Sequence, residues 1–180
     1  MKKIIYLLSL ISVSAFAQEK QKDVVTISAN YSFSEPTQYG VSLEFTKSEL
    51  SSSRILNISY GQLEYDNNYL KTTGEGFVVE LGNRNYFGKN REGFYFENFL
   101  THGEIKFNES IAGERFEGKY SYWSIFNPNL GYKIQLTKNL SIDPSVGFNW
   151  KWEVRGKGDI DNKHFDNFVF KAGVKLGYTF

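Results

Sequence analysis

The stretch FVFKAGVKLGYTF, residues 168–180, decides the fold, because apolar and polar side chains alternate along it. Every second residue from Phe168 to Phe180 is apolar or aromatic, and the residues between them include Lys171, Lys175 and two glycines. Successive side chains of a β-strand point to opposite faces, whereas a helix would spread these apolar residues around its whole circumference. The stretch therefore predicts a strand with one apolar face and one polar face.

The same alternation recurs along the chain and predicts eight strands in an all-β fold. They cover residues 25–33, 39–46, 56–61, 77–84, 93–107, 119–136, 140–154 and 167–180. Short connections join consecutive strands, and this arrangement favours antiparallel pairing. The sequence shows no low-complexity linker and no second domain, so all eight strands are expected to form one unit.

The N-terminus has the three parts of a secretory signal peptide. Lys2 and Lys3 supply the positive charge, an apolar core follows, and Ala15-Phe16-Ala17 gives a small-x-small cleavage site. The apolar stretch of about 14 residues is short for a membrane anchor, which needs about 20. We therefore predict a cleaved signal peptide at residues 1–17, export through the Sec pathway, and a barrel domain at residues 18–180. The absence of cysteine excludes disulfides and an anchor on an N-terminal cysteine.

The direction of the apolar face separates a membrane barrel from a soluble one. The polar face carries equal numbers of acidic and basic side chains, which we expect to fill a narrow lumen as a charge network: Glu44, Glu80, Arg84, Glu97, Lys133, Asp143, Lys151, Glu153, Lys171 and Lys175. Phe, Tyr and Trp make up 17% of the chain and cluster near strand ends, as in the aromatic girdles of membrane barrels. A soluble periplasmic barrel with a ligand inside and all faces inverted is the alternative.

The C-terminal segment resembles the insertion signal of outer-membrane barrels, in which alternating apolar residues precede a terminal aromatic. Val174, Leu176, Tyr178 and Phe180 match that signal, and the resemblance implies that the barrel-assembly machinery reads them. With the signal peptide, length and strand count, the chain resembles the small eight-stranded family of OmpX, Ail and the OmpA membrane domain. That family implies an antiparallel up-and-down transmembrane β-barrel in the bacterial outer membrane.

The connections are expected to alternate between short periplasmic turns and longer outside loops. The predicted turns are residues 47–53, 87–92 and 137–139, and the predicted loops are residues 34–37, 65–73, 108–118 and 155–165. In the fifth strand, Tyr95, Glu97 and Phe99 share a face, which we expect to point inward because a charge facing lipid is costly.

An eight-stranded barrel has an interior that side chains fill, so we predict no large pore. The resulting hypothesis is a structural or surface-interaction protein that works through its extracellular loops. Its expected partners are outer-membrane lipids, lipopolysaccharide and an extracellular partner of unknown identity. The nearly balanced charge gives no reason to expect nucleic acid. A narrow conduit of the OmpW type, which would need an apolar lining, is the first alternative.

A lipid-modifying barrel enzyme is the second alternative, and it would need a histidine paired with a serine near the outer rim. Only His102 and His164 are present, no motif joins either one to a serine, and no catalytic residue is predicted. Asp159, Asp161 and Asp166 lie close together and are candidates for a divalent-cation site. The lysines between them and the absence of EF-hand spacing argue against such a site. No metal or cofactor is therefore predicted, and the charged segment 108–118 is a candidate contact surface.

Replacing Phe180 with Asp, or removing it, should reduce assembly into the outer membrane, because this residue carries the insertion signal. The measurement is the amount of heat-modifiable barrel in isolated outer membranes, with Phe87→Asp as the control. Normal assembly of the Phe180 variant would contradict the assignment.

Overall fold

The computed structural model describes residues 23–47, 51–67, 70–88, 91–111 and 114–180, with the side chains of residues 23, 111, 114 and 153–155 left out of the description. The strands are β1 Asp23–Phe33, β2 Thr37–Lys47, β3 Ser52–Asp66, β4 Lys71–Tyr86, β5 Gly93–Ile111, β6 Glu114–Phe126, β7 Pro128–Gln135, β8 Leu140–Gly158 and β9 Phe168–Thr179. A single turn of 3-10 helix, Asn162–His164, follows β8. Within these ranges no helix is long and apolar enough to cross a membrane.

The strands form a closed antiparallel ring in which consecutive strands pair, except β6 and β7, and β9 closes the ring against β1. Strands β6 and β7 together make one barrel strand. They pair in succession with β5, through Thr101↔Ser124 and Phe96↔Leu130. The ring therefore has eight strands, which confirms the predicted fold class.

The predicted sixth strand, residues 119–136, is not continuous, because it breaks at Asn127. Pro128 follows the break, and proline cannot donate a backbone hydrogen bond to a neighbouring strand. Asn127 instead donates its backbone N–H to Asn98 Oδ1 at 3.1 Å and accepts from Phe99 N at 3.3 Å. The break thus directs the side chain of Asn127 into the lumen, while its backbone stays hydrogen-bonded to β5.

The apolar face points outward around the ring. Val41, Leu81, Val146 and Leu176 are 49%, 53%, 51% and 50% exposed, while their neighbours along each strand point inward. A folded chain cannot leave such a continuous apolar belt in water, so the belt faces lipid. This orientation contradicts the soluble alternative with inverted faces. In β5, Tyr95, Glu97 and Phe99 are buried inside the barrel, as predicted.

The outer ends of the strands extend further than expected. Residues 65–73 and 108–118 were predicted as loops, but β3 runs to Asp66, β5 runs to Ile111 and β6 begins at Glu114. Side chains still alternate between the two faces in these segments. Here the apolar residues point inward and the charged residues outward, which is the reverse of the lipid-facing part of the barrel. The prediction of long outside loops was wrong here because charged stretches were equated with irregular structure. The connection between β8 and β9 is the longest irregular segment of the described chain.

An aromatic core fills the outer end of the barrel. Its buried members are Leu63, Tyr65, Ile105, Phe107, Tyr120, Tyr122, Ile160 and Phe165, with Phe116 packed against them. Ile160 and Phe165 come from the connection after β8, which folds inward over the opening. The packing is tight enough that a Cβ at Gly74 would lie 2.6 Å from the ring of Phe107. We call this set the aromatic core.

Val174→Arg should lower the free energy of unfolding by roughly 2–4 kcal/mol, because Val174 lies midway along the lipid-facing side of β9. The measurement is denaturant unfolding of the barrel in phospholipid vesicles. Thr73→Arg is the control, since Thr73 faces outward beyond the belt and the same change there should cost about 0–1 kcal/mol. Equal losses at the two positions would contradict the assigned belt.

Candidate functional site

The Arg84 guanidinium is the centre of the charge network in the lumen. Arg84 is 1% exposed, and it donates to Glu97 Oε1 at 2.7 Å, to Asp143 Oδ2 at 2.8 Å and to Glu44 Oε2 at 3.2 Å. These partners lie on β2, β5 and β8, while Arg84 lies on β4. A planar guanidinium has five N–H donors, so one side chain can hold carboxylates from several directions. Arg84 therefore links four strands through the middle of the barrel.

Lysines and tyrosines complete this layer. Lys175 Nζ lies 3.2 Å from Glu97 Oε1, and Lys133 Nζ lies 3.6 Å from Glu44 Oε2. Tyr86 donates its hydroxyl to Glu44 Oε1 at 2.8 Å. The Arg84 guanidinium also stands 3.8 Å above the centre of the Tyr95 ring, a cation–π arrangement. Burial of these charges is offset by charge-assisted hydrogen bonds on nearly every side.

A second polar layer lies outward of the first and is centred on Glu80. Lys171 Nζ donates to Glu80 Oε1 at 2.7 Å, and Asn57 Nδ2 donates to Glu80 Oε2 at 2.8 Å. Asn127, at the break between β6 and β7, donates to Glu80 Oε1 at 2.9 Å and to Thr101 Oγ1 at 2.8 Å. The break thus supplies an amide to the lumen at the height of Glu80, as the third donor to that carboxylate.

Two members of the predicted network stand apart. Lys151 is fully buried between the rings of Tyr120 and Tyr122, with its Nζ 5.8 Å from each ring centre, and it has no ion pair within the described ranges. Glu153 lies on β8, but its side chain belongs to the part that is not described. The insertion-signal residues Val174, Leu176, Tyr178 and Phe180 all face outward, with the last two rings 4.9 Å apart.

The space inside the barrel narrows from the periplasmic end toward the outside. A cavity of about 270 Å³ opens at the periplasmic mouth, and a cavity of about 20 Å³ lies between the two charged layers. The smaller space is close to the least that holds one water. Beyond it, the aromatic core fills the outer end. The described lumen is therefore a polar channel that ends blindly.

Three lysines stand side by side on the outer wall. Lys106 of β5 is the direct cross-strand partner of Lys119 of β6, which is the partner of Lys157 of β8. They line an open groove of about 340 Å³. Glu104 forms ion pairs with Lys119 and, at 3.8 Å, with Lys106. We call Lys106, Lys119 and Lys157 the lysine row.

A belt of aromatic rings lies below the lysine row, toward the membrane. The His102 ring stacks on Trp123 at 4.3 Å between centres, and Trp123 is the cross-strand partner of Trp152. Tryptophan prefers the boundary between lipid and water, so this belt marks the outer interface of the membrane.

On the far side of that boundary, a hydrogen bond from Lys71 to Glu64 at 2.9 Å raises the pKa of the lysine ammonium.

Neither histidine makes the contact that a lipid-modifying enzyme would use. His102 Nδ1 lies 3.0 Å from the backbone oxygen of Tyr122, and β5 extends well past His102, to Ile111. The His164 ring packs on Tyr65 at 5.5 Å between centres. The first contact is a hydrogen bond to the backbone and the second is ring packing, and neither is the pair of nucleophile and base that covalent catalysis requires.

The aspartates after β8 hold backbone groups. Asp159 accepts from the N–H of Glu117 at 2.9 Å, and Asp161 accepts from the N–H of Lys163 at 3.1 Å. Across the described ranges, no three histidine, cysteine or acidic side chains converge as metal ligands. These carboxylates therefore fix the fold of the connection that closes the outer end.

Several solved structures with folds similar to this chain are small outer-membrane β-barrels. The N-terminal β-barrel domain of Pseudomonas aeruginosa OprF is 20% identical with a TM-score of 0.54, covering 89% of this chain and 100% of that one. Yersinia pestis Ail, solved with the heparin analogue sucrose octasulfate, is 16% identical with a TM-score of 0.53, covering 89% and 99%. Acinetobacter baumannii CarO is 14% identical with a TM-score of 0.50, covering 90% and 100%.

These likenesses define the class of fold as the eight-stranded β-barrel that these small outer-membrane proteins share. They agree with the resemblance to OmpX, Ail and the OmpA membrane domain found in the C-terminal sequence. No protein-family model matches the chain, and no curated protein matches it either. At this level of identity the likeness concerns the fold, and activity has to be argued from the chain's own residues.

Arg84→Met should lower the free energy of unfolding by about 3–5 kcal/mol, because it leaves buried carboxylates without their shared cation. The measurement is equilibrium urea unfolding of the folded barrel in detergent. Arg54→Met, at an exposed arginine on β3, is the control and should change stability by less than about 0.5 kcal/mol. A loss at Arg84 no larger than at Arg54 would contradict the central role of the guanidinium.

Proposed function

We propose that this protein is an integral outer-membrane barrel, closed to solutes, that acts as a surface-interaction protein through its outer end. The observation that carries the proposal is the aromatic core, which blocks the outer end and holds the projecting strands rigid. Ordered strands with charged outer walls give a fixed binding surface, and loss of conformational entropy on binding is small for such a surface.

The aromatic core also weighs against the two alternatives. A conduit for small or apolar molecules needs free space along an apolar lining, and here the apolar part of the lumen is filled by its own side chains. A lipid-modifying enzyme needs a nucleophile beside a base, and the histidine contacts are of another kind. We therefore propose neither transport nor a reaction.

Export and insertion belong to the same proposal. Residues 1–17 would be removed on export through the Sec pathway, leaving residues 18–180 as the barrel domain. The assembly machinery would then read Val174, Leu176, Tyr178 and Phe180 during insertion. The outward placement of all four side chains supports this, because a receptor can reach them from the lipid side.

The lysine row suggests the chemistry of the outer-membrane partner. Lys119 lies four residues from Trp123 along β6, which is roughly 13 Å along the strand and beyond the lipid boundary. Like charges directly opposite each other on neighbouring strands repel, and Glu104 offsets only part of that repulsion. Lipopolysaccharide carries phosphate groups, which would supply the missing negative charge. The polyanion held by Ail supports anionic groups as the class to test.

The test is binding of fluorescent lipopolysaccharide to the folded barrel in uncharged detergent. The triple variant Lys106→Gln, Lys119→Gln, Lys157→Gln should bind about tenfold more weakly, because charge-assisted contacts are lost. The control triple variant Lys47→Gln, Lys71→Gln, Lys163→Gln removes the same charge elsewhere and should bind like the unmodified chain.

Two further arms separate the possible outcomes. Dephosphorylated lipopolysaccharide should bind the unmodified chain as weakly as intact lipopolysaccharide binds the lysine-row variant. Equal weakening in both triple variants would reduce the effect to general charge attraction and overturn the assignment of the lysine row. Steady single-channel currents in a planar bilayer would overturn the closed lumen and restore the conduit.

A further inference from the structure

The periplasmic mouth holds a cavity that neither the surface-interaction role nor the lysine row uses. Its volume is about 270 Å³, enough for several waters or for a small hydrated ion. It is lined by Val24, Thr26, Thr46, Tyr86, Arg91, Glu92, Lys133, Gln135, Lys138 and Thr179. Basic side chains therefore outnumber acidic ones around this space.

Two of its three cations are free of ion pairs. Among the residues that the structure describes, neither Arg91 nor Lys138 lies within ion-pair distance of a carboxylate. The third, Lys133, is 7% exposed, and its Nζ contacts are long, at 3.6 Å to Glu44 and 3.4 Å to the Tyr86 hydroxyl. A buried ammonium held this loosely has capacity for a further anionic partner.

Hydroxyl groups line the same space. Thr26 and Thr179 share one hydrogen bond between their hydroxyls at 2.8 Å, which leaves one hydroxyl proton of the pair for another acceptor. Thr46 adds a third hydroxyl from β2. Hydroxyl and ammonium donors around one cavity make a set that suits an oxyanion, whose oxygens each accept several hydrogen bonds.

The backbone at Arg91 also sets this turn apart. Arg91 has a φ of 57°, in the left-handed region that residues other than glycine seldom adopt. Such a conformation costs free energy of order 1 kcal/mol or more, and it is often found where a side chain must be aimed at a ligand. Here it places Arg91 on the rim of the cavity.

The lining residues from the strands belong to the inner face of the barrel. Thr26, Thr46, Tyr86 and Lys133 are buried and point into the lumen, away from the lipid belt. A lipid head group would approach from outside the wall, whereas a small solute enters from the periplasm along the barrel axis. The occupant is therefore a freely diffusing anion.

We propose that the periplasmic mouth binds a small oxyanion, of the phosphate or carboxylate class, between Arg91, Lys133 and Lys138. Lys133 connects this site to the charge network, since it forms an ion pair with Glu44, which also accepts hydrogen bonds from Tyr86 and Arg84. Binding would draw Lys133 away from Glu44 and strengthen the hold of Arg84 on that carboxylate. The site thus couples periplasmic anions to the centre of the barrel.

The test is an NMR titration of the full folded chain with inorganic phosphate in a maltoside detergent, which carries no phosphate of its own. We expect saturable shifts of the amides of Arg91, Lys133 and Gln135, and none when chloride is added at equal ionic strength. The double variant Arg91→Gln, Lys138→Gln should bind about tenfold more weakly, because two charged donors are lost. Both substitutions lie in connections outside the strands, with Arg91 half-buried and Lys138 exposed, so the barrel should fold normally.

Lys106→Gln, Lys157→Gln is the matched control, because it removes the same charge from the outer wall and should leave the phosphate titration unchanged. Shifts that do not saturate, or equal weakening in both double variants, would overturn the site. Shifts produced by phosphatidylglycerol in the micelle but not by phosphate would assign the charge cluster to a lipid head group and also overturn it. None of these outcomes depends on whether the lysine row binds lipopolysaccharide.

Discussion

The membrane-embedded part of this barrel depends on the ion pairs and hydrogen bonds of the Arg84 guanidinium. A charge buried away from water is tolerated only when partners surround it, and here the partners come from three other strands. The same contacts that satisfy the charge also fix the distance between opposite walls. Lys133 and Lys175 then balance the carboxylates that Arg84 shares, so the layer is stable as a group. Removing Arg84 would take one partner from each of Glu44, Glu97 and Asp143 while these carboxylates stay buried.

The surroundings of the barrel wall change from lipid to water along the barrel axis. Over the same distance, the lining of the lumen changes from charged to aromatic. Where the outer wall is apolar and faces lipid, the lumen is charged. Where the outer wall carries the lysine row and other charges, the lumen holds the aromatic core. Side chains alternate between the two faces in both parts, apart from the break at Asn127 and the register shifts between β6 and β8, and the chemistry of the two faces reverses. The outer part is thus built like a small water-soluble barrel joined to a membrane one.

The sequence predicts those features of the structure that depend on the alternation of apolar and polar residues, because this pattern recurs along the chain. Strand number, closure and the outward direction of the apolar face follow from period-two alternation, which local sequence carries. The outer ends of β5 and β6 were missed because Phe107 and Phe116 alternate with charges, and this pattern was attributed to a loop. The break at Asn127 was missed although Pro128 marks it, since the flanking alternation resumes at once. The partners of Arg84 depend on contacts between residues far apart in sequence, which alternation alone does not specify.

The aromatic core has a consequence for how the exposed rim can change over evolutionary time. Since the projecting strands are stabilised from within, outward side chains there contribute little to folding, and surface substitutions of this kind usually shift stability by less than about 0.5 kcal/mol. A rim supported in this way can exchange its charges and recognition groups almost freely. The charge pattern of the rim can therefore diversify while the barrel beneath it stays the same.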